Sequence, residues 1–205
     1  MPGHRTGLKR GGIFGLIGGL LVLAGCATHH NGTASAGIPG EIPFRVEQDL
    51  RFSPDGWPEA LFADLYLPDR QISQAPHPVV LMVHGGGWQR RSREDMAWIA
   101  EEVASHGFAV LNIDYRFAPQ YQYPAQLRDL QQALTWLREH HEELAVDPQR
   151  IAGLGYSSGA HLLSLLATVN TSDHPDRAPW NPDQEGLIAV VAGGLPADLR
   201  NFDSG

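Results

Sequence analysis

From residue 41 onward the chain alternates short apolar runs with longer stretches whose apolar positions recur every third or fourth residue. Residues 42–50 and 60–67 alternate apolar with polar positions and flank Ser53-Pro54-Asp55-Gly56, a turn signal. That pattern predicts an antiparallel strand pair. Residues 79–83 are continuously apolar, as expected of a strand covered on both faces. Residues 94–106 have helical spacing, with Gly107 as a C-terminal stop. Residues 108–113 form a second buried run. Residues 124–140 place Leu127, Leu130, Leu134 and Leu137 on one helical stripe. Pro124 suits the first turn of that helix, where an amide hydrogen has no partner to lose. Asp147-Pro148 marks a turn, residues 150–155 a third buried strand, 158–169 a helix and 187–192 a fourth strand. Strand–helix alternation with short connections predicts an α/β fold. Its sheet has two antiparallel strands and then parallel ones, with helices on both faces. No internal repeat or second domain is visible.

The first 40 residues follow a different pattern. His4, Arg5, Lys9 and Arg10 precede the apolar, glycine-laced stretch 13–24, which is shorter than the roughly 20 residues a spanning helix needs. It ends in Leu23-Ala24-Gly25-Cys26, which resembles the lipobox of bacterial lipoprotein signal peptides. The resemblance implies a signal peptide over 1–25, lipidation of Cys26 and export, with the protein lipid-anchored at the bacterial cell envelope on its periplasmic or outer-membrane side. One acyl chain holds a protein only marginally, so a stable anchor takes two or three. Residues 26–40 are small, polar and glycine-rich and read as a flexible tether, with His29 and His30 as solvated members of it. The globular domain is then 41–205.

Composition narrows the partners. A net charge of −8 leaves no basic surface for nucleic acid. Any membrane attachment therefore depends on the lipid and not on attraction to anionic headgroups. The single cysteine allows neither an internal disulfide nor a cysteine-based metal cage.

The chemistry is carried by two motifs. Gly155-Tyr156-Ser157-Ser158-Gly159 follows a buried strand and opens a helix, the context in which G-x-S-x-G presents a serine nucleophile. His84-Gly85-Gly86-Gly87-Trp88 follows an earlier buried strand, where a glycine-rich loop supplies oxyanion-hole amides. A serine hydroxyl is a weak nucleophile and needs a base. The helix from Ser158 directs free amides and a positive dipole end at a developing oxyanion. The expected roles are Ser157 as nucleophile and the amides of Gly86, Gly87 and Ser158 as oxyanion donors.

Those motifs, with Asp114-Tyr115-Arg116-Phe117-Ala118-Pro119, Tyr123-Pro124-Ala125, Asp129 and Asp147-Pro148-Gln149-Arg150-Ile151, make the chain resemble an α/β-hydrolase. The likeness is to the branch of hormone-sensitive-lipase-like esterases and carbohydrate (acetylxylan and feruloyl) esterases. Trp88 after the glycines is closer to the carbohydrate-esterase and formamidase side. The resemblance implies hydrolysis of a small-molecule carboxylic ester, of a small acyl group or a carbohydrate, through an acyl-serine intermediate. It implies no metal and no organic cofactor. A peptidase or formamidase of the same fold is the neighbouring alternative.

Other residues read structurally. Asp114 and Arg116 are expected to pair and tie their loop to the sheet. His84 shapes the glycine loop, His161 packs inside the domain, and His140 and His141 cap a helix end. Trp88, Tyr121, Tyr123 and Trp180 are candidates for pocket lining or for packing. The family order is Ser, then Asp or Glu, then His. After Ser157 the only histidines are His161 and His174, and neither has a suitable acid before it; Asp198 and Asp203 follow the last histidine. The expectation is a C-terminally incomplete hydrolase domain whose last two strands, with the acid and base, are missing. Residues 187–192 would then form an unpaired apolar edge, and esterase activity would be small or nil. A catalytically inactive hydrolase-fold lipoprotein is the alternative on that count.

Overall fold

The computed structural model describes residues 41–69, 76–169, 174–181 and 185–200. The signal peptide over 1–25, Cys26, the tether to residue 40, Asp173 and Asp203 lie outside these.

Strands β1 (Phe44–Arg51) and β2 (Phe62–Pro68) pair antiparallel, as the alternating runs predict. The link between them turns where Trp57 N donates to Pro54 O at 3.2 Å. β3 (His77–Val83), β4 (Ala109–Ile113), β5 (Val146–Tyr156) and β6 (Val190–Gly193) are mutually parallel. The sheet order is β1-β2-β4-β3-β5-β6, with β2 antiparallel to β4. Helix α1 (Ala97–Ser105) lies on one face; α2 (Ala125–Glu139) and α4 (Ser158–Val169) lie on the other. A short α3 (His141–Leu144) precedes β5.

Period-two alternation explains the two layers. Leu65, Leu81, Val83, Leu111 and Ile113 face the α2 stripe of Leu127, Leu130, Leu134 and Leu137, with Leu163 and Leu166 of α4. The residues between them, Tyr66, Val80, Met82 and Val110, face Met96, Ala100 and Ala104 at α1. Each fully buried leucine contributes about 1.5–3 kcal/mol relative to exposure, so the central strands dominate stability.

Several boundaries differ from the sequence reading. The stretch predicted as one helix over 94–106 is a 3₁₀ turn, Arg93–Met96, followed by α1. The Asp114 carboxylate accepts the Arg93 amide at 2.8 Å and fixes that first turn. Gly107 stops the helix as expected, with φ +89°. β5 begins at Val146, opposite His77, and the register shifts before Ile151 meets Val79. The Asp147-Pro148 turn occupies that shift, with Gln149 N donating to Asp147 Oδ1 at 2.9 Å. The last run bonds to β5 from Ile188 onward (Ile188 N to Ile151 O, 2.9 Å), but regular pairing starts only at Val190. Among the described strands β6 stands at the sheet edge, as predicted. No helix among the described residues is long and apolar enough to cross a membrane.

Candidate active site

β3 and β5 are neighbours whose onward connections run in opposite directions, β3 to β4 on one side and β5 to β6 on the other. The crevice at their carboxyl ends is a topological switch point, where α/β sheets bind ligands. Both motifs sit there, because Val83 is opposite Gly155 in the register.

β5 ends at Tyr156 and α4 starts at Ser158, so the chain reverses at Ser157 alone. Ser157 takes φ +52°, a left-handed conformation that costs a non-glycine residue about 1–2 kcal/mol. Its amide donates to Gly193 O at 2.8 Å, and its carbonyl accepts His161 N at 3.0 Å. Those bonds hold the kink from both sides and leave the side chain half-buried at the crevice. The flanking glycines are needed for space. A Cβ on Gly155 would lie 2.7 Å from the Gly159 carbonyl carbon. A Cβ on Gly159 would lie 2.2 Å from Val83 O and 2.5 Å from His84 O. Only glycine lets α4 press this closely against β3.

The glycine loop touches the kink directly. A Cβ on Gly85 would sit 3.2 Å from Ser157 Cβ and 3.0 Å from Tyr156 O. Gly86 has φ +124°, and a side chain there would strike Arg90 O at 2.0 Å. The turn is closed by Gln89 N to Gly86 O at 3.2 Å, and Trp88 O accepts Ala118 N at 2.9 Å. Among the described residues, the amides of Gly86, Gly87 and Ser158 bond to no backbone carbonyl. The structure therefore brings Ser157, Gly86 and Gly87 to one cleft, with Ser158 following Ser157 as the first residue of α4.

His84 supports this loop, as expected. It is buried, its ring stacks on Tyr115 at 4.5 Å, and Nδ1 donates to Gly85 O at 2.6 Å. Burial pushes its pKa down, so the ring is neutral. Tyr115 Oη bridges His84 O at 3.3 Å and Ser158 Oγ at 3.2 Å, and burial raises its pKa to about 12.

The pairing expected between Asp114 and Arg116 is not formed. Asp114 binds Arg93, which also pairs with Asp64 (Nε to Oδ1, 2.9 Å) and Asp49. Arg116 instead pairs with buried Asp129, Nη2 to Oδ1 at 2.7 Å, while its amide donates to Oδ2 at 2.9 Å. Asp114 and Arg116 are two apart, but they leave β4 toward different layers. Arg93 was missed because its three carboxylates come from β2, the bulge in β1 and the end of β4. They converge only once the strand order is known.

The loop aromatics divide. Tyr121 and Trp180 pack around the Arg116–Asp129 pair: Arg116 lies over the Tyr121 ring at 5.1 Å, and Trp180 meets Trp57 edge-on at 5.3 Å. Trp88 and Tyr123 border an apolar cavity of about 310 Å³ beside Gly87. His161 also borders it, its ring edge-on to Trp88 at 5.4 Å and its pKa lowered by burial. His140 and His141 cap the end of α2 as expected, Nδ1 to Trp136 O at 2.8 Å and to Arg138 O at 2.7 Å. A second cleft, about 410 Å³, opens over Ser157 and the three glycines. Among the described residues the Ser157 hydroxyl makes no hydrogen bond, and no group of three His, Cys, Asp or Glu is placed to hold a metal.

Comparison with known proteins identifies the fold and family. Residues 63–204 match the BD-FAE family model. Non-reducing polyketide synthase pkbA of Emericella nidulans is 32% identical over 176 residues, 69% of this chain and 7% of its own length. Esterase LipC of Mycobacterium tuberculosis is 33% identical over 125 residues, 60% of this chain and 31% of its own. The crystal structure of esterase B from Lactobacillus rhamnosis superposes with TM-score 0.64 and 26% identity, over 76% of this chain and 49% of that one. The chain thus spans less than half the length of these relatives. Its sheet is that of an α/β-hydrolase, and with the family model matched from β2 past the end of β6, the chain belongs to the BD-FAE family.

Proposed function

We propose that the chain carries the nucleophile and oxyanion half of a serine esterase site, acting on esters of small acyl groups or carbohydrates. The observation that supports this reading is the contact between the strained Ser157 kink and Gly85, which joins the serine turn to the triple-glycine loop at the start of α4. Ser157 Oγ attacks the ester carbonyl carbon. The carbonyl oxygen becomes an oxyanion facing those amides, and the alcohol leaves as the tetrahedral intermediate collapses to an acyl-serine. Each donor of this kind contributes about 2.7–4 kcal/mol to transition-state stabilisation. The twelve-residue α4 adds its dipole. Water then releases the acyl group and restores the serine. The proton of Ser157 must pass to a base, which returns it to the oxygen of the leaving alcohol. No described residue bonds to the hydroxyl, and an imidazole in solution can serve as that base. His161 is turned to Trp88 and is a packing residue.

Support for ester hydrolysis comes from the esterases among the relatives, LipC and esterase B. The test is covalent trapping: the full chain, treated with a reactive alkyl phosphonate in imidazole buffer, should gain one adduct on the peptide containing Ser157. Labelling elsewhere, or undiminished labelling of Ser157→Ala, would refute the assignment. The lipid anchor belongs to the same proposal. It is supported by the Leu23-Ala24-Gly25-Cys26 sequence and tested by metabolic palmitate labelling, which Cys26→Ser should abolish.

A further inference from the structure

The wall of the Ser157 cleft away from the apolar cavity has features that ester cleavage does not use. Trp98, on α1, is 69% exposed, and Tyr156, just before the nucleophile, is 60% exposed. Both line the same cleft as Ser157. Isolated exposed aromatics are ordinary, but these two line the same cleft as the reactive group. The Tyr156 ring is backed by the main chain at Gly193 and Gly194, where added Cβ atoms would sit 3.0 and 3.2 Å from ring carbons. It therefore offers one supported aromatic face. The charged lining groups are Arg90, Arg91 and Asp95. Asp95 is engaged by Arg91, Nη1 to Oδ2 at 3.4 Å. Arg90 makes no ion pair among the described residues. Arg90 is thus an exposed lining cation with no ion pair among the described residues, in a chain whose net charge is −8.

The geometry points to a substrate whose ester is carried by an acidic sugar: a pyranose ring against Trp98 and Tyr156, with its carboxylate on Arg90. This rests on the esterase reading of Ser157 and names the substrate class for that site. Aromatic faces hold the apolar face of a ring, and a guanidinium fork matches a carboxylate better than an ammonium does. The overall negative charge would otherwise repel an anionic ligand, so the local cation decides the preference.

The test is equilibrium binding to the full chain by calorimetry in 20 mM salt, with D-galacturonate, D-galactose and inorganic sulfate as probes. Galacturonate should bind about fivefold more tightly than galactose, the scale of one exposed charge pair. Arg90→Gln should bring the two sugars to parity, and Trp98→Ala should weaken both. No galacturonate binding, sulfate binding as tightly as galacturonate, or a sugar preference unchanged in Arg90→Gln would each overturn the inference. Phosphonate trapping at Ser157 is scored on the same preparations. An adduct without sugar preference overturns the substrate class alone, whereas loss of the adduct overturns the esterase reading beneath it.

Discussion

β4 and β6 are both short apolar parallel strands, Ala-Val-Leu-Asn-Ile and Val-Val-Ala-Gly, yet they sit in opposite environments. β4 lies between β2 and β3 with a helix layer on each face, and all five of its residues are buried. β6 pairs with β5 alone among the described strands; Val191 is 61% exposed and Ile188 just before it 63%. The same kind of sequence thus yields core in one place and surface in the other. Apolarity specifies a strand, whereas burial depends on which neighbours arrive. The crevice that holds Ser157 lies between these extremes. Its floor, the close contact of Gly159 with β3, belongs to the rigid centre; the Ser157 amide is tied to Gly193 on the exposed side.

Substitutions can sharpen or break this contrast. The largest effect is expected at the centre: Leu111→Ala should cost about 2–5 kcal/mol by urea denaturation, because the residue is fully buried. Gly159→Ala comes next, at about 1–3 kcal/mol by the same measurement, since its Cβ would overlap Val83 O. A neutral Gly159→Ala would show that α4 and β3 are not packed as described. Acid should act on the layers joining the two regions. Burial lowers the pKa values of His84 and His161, so both rings stay neutral in the folded chain where unfolded histidine, near pKa 6.5, takes up a proton. The unfolded state then binds more protons, and stability should fall as pH drops through and below 6.5. The melting temperature should therefore be lower at pH 5.5 than at pH 7.5. His161→Gln should reduce that difference, and an unchanged difference would remove His161 from this account. The smallest effect is expected at the edge, where Val191→Ala should change stability by less than about 0.5 kcal/mol. A loss comparable to that at Leu111 would mean that β6 is covered in solution.

Much of this arrangement is legible in the sequence alone. The 42–50 and 60–67 alternation and the Leu127-Leu130-Leu134-Leu137 stripe each record a one-sided environment, and local periodicity is enough to read it. The two glycine motifs were legible because their spacing reflects backbone crowding, seen at Gly86, Gly155 and Gly159. What stayed hidden depends on contacts between distant segments. Arg93 with Asp49, Asp64 and Asp114, and Arg116 with Asp129, are set by β4 lying between β2 and β3. No local pattern encodes that order. The meeting of Arg90 and Trp98 with Tyr156 was hidden for the same reason: it joins the stretch after β3 to the end of β5.

The most direct test of the central claim supplies a proton acceptor from solution. The 205-residue chain is assayed on 1-naphthyl acetate over a range of imidazole concentrations, with Ser157→Ala as reference. Wild type should show an imidazole-dependent rate above that of the reference, which keeps the same backbone amides and so isolates the contribution of the serine hydroxyl. Equal rates for the two proteins at every imidazole concentration would contradict the assignment of Ser157 and its amide cradle.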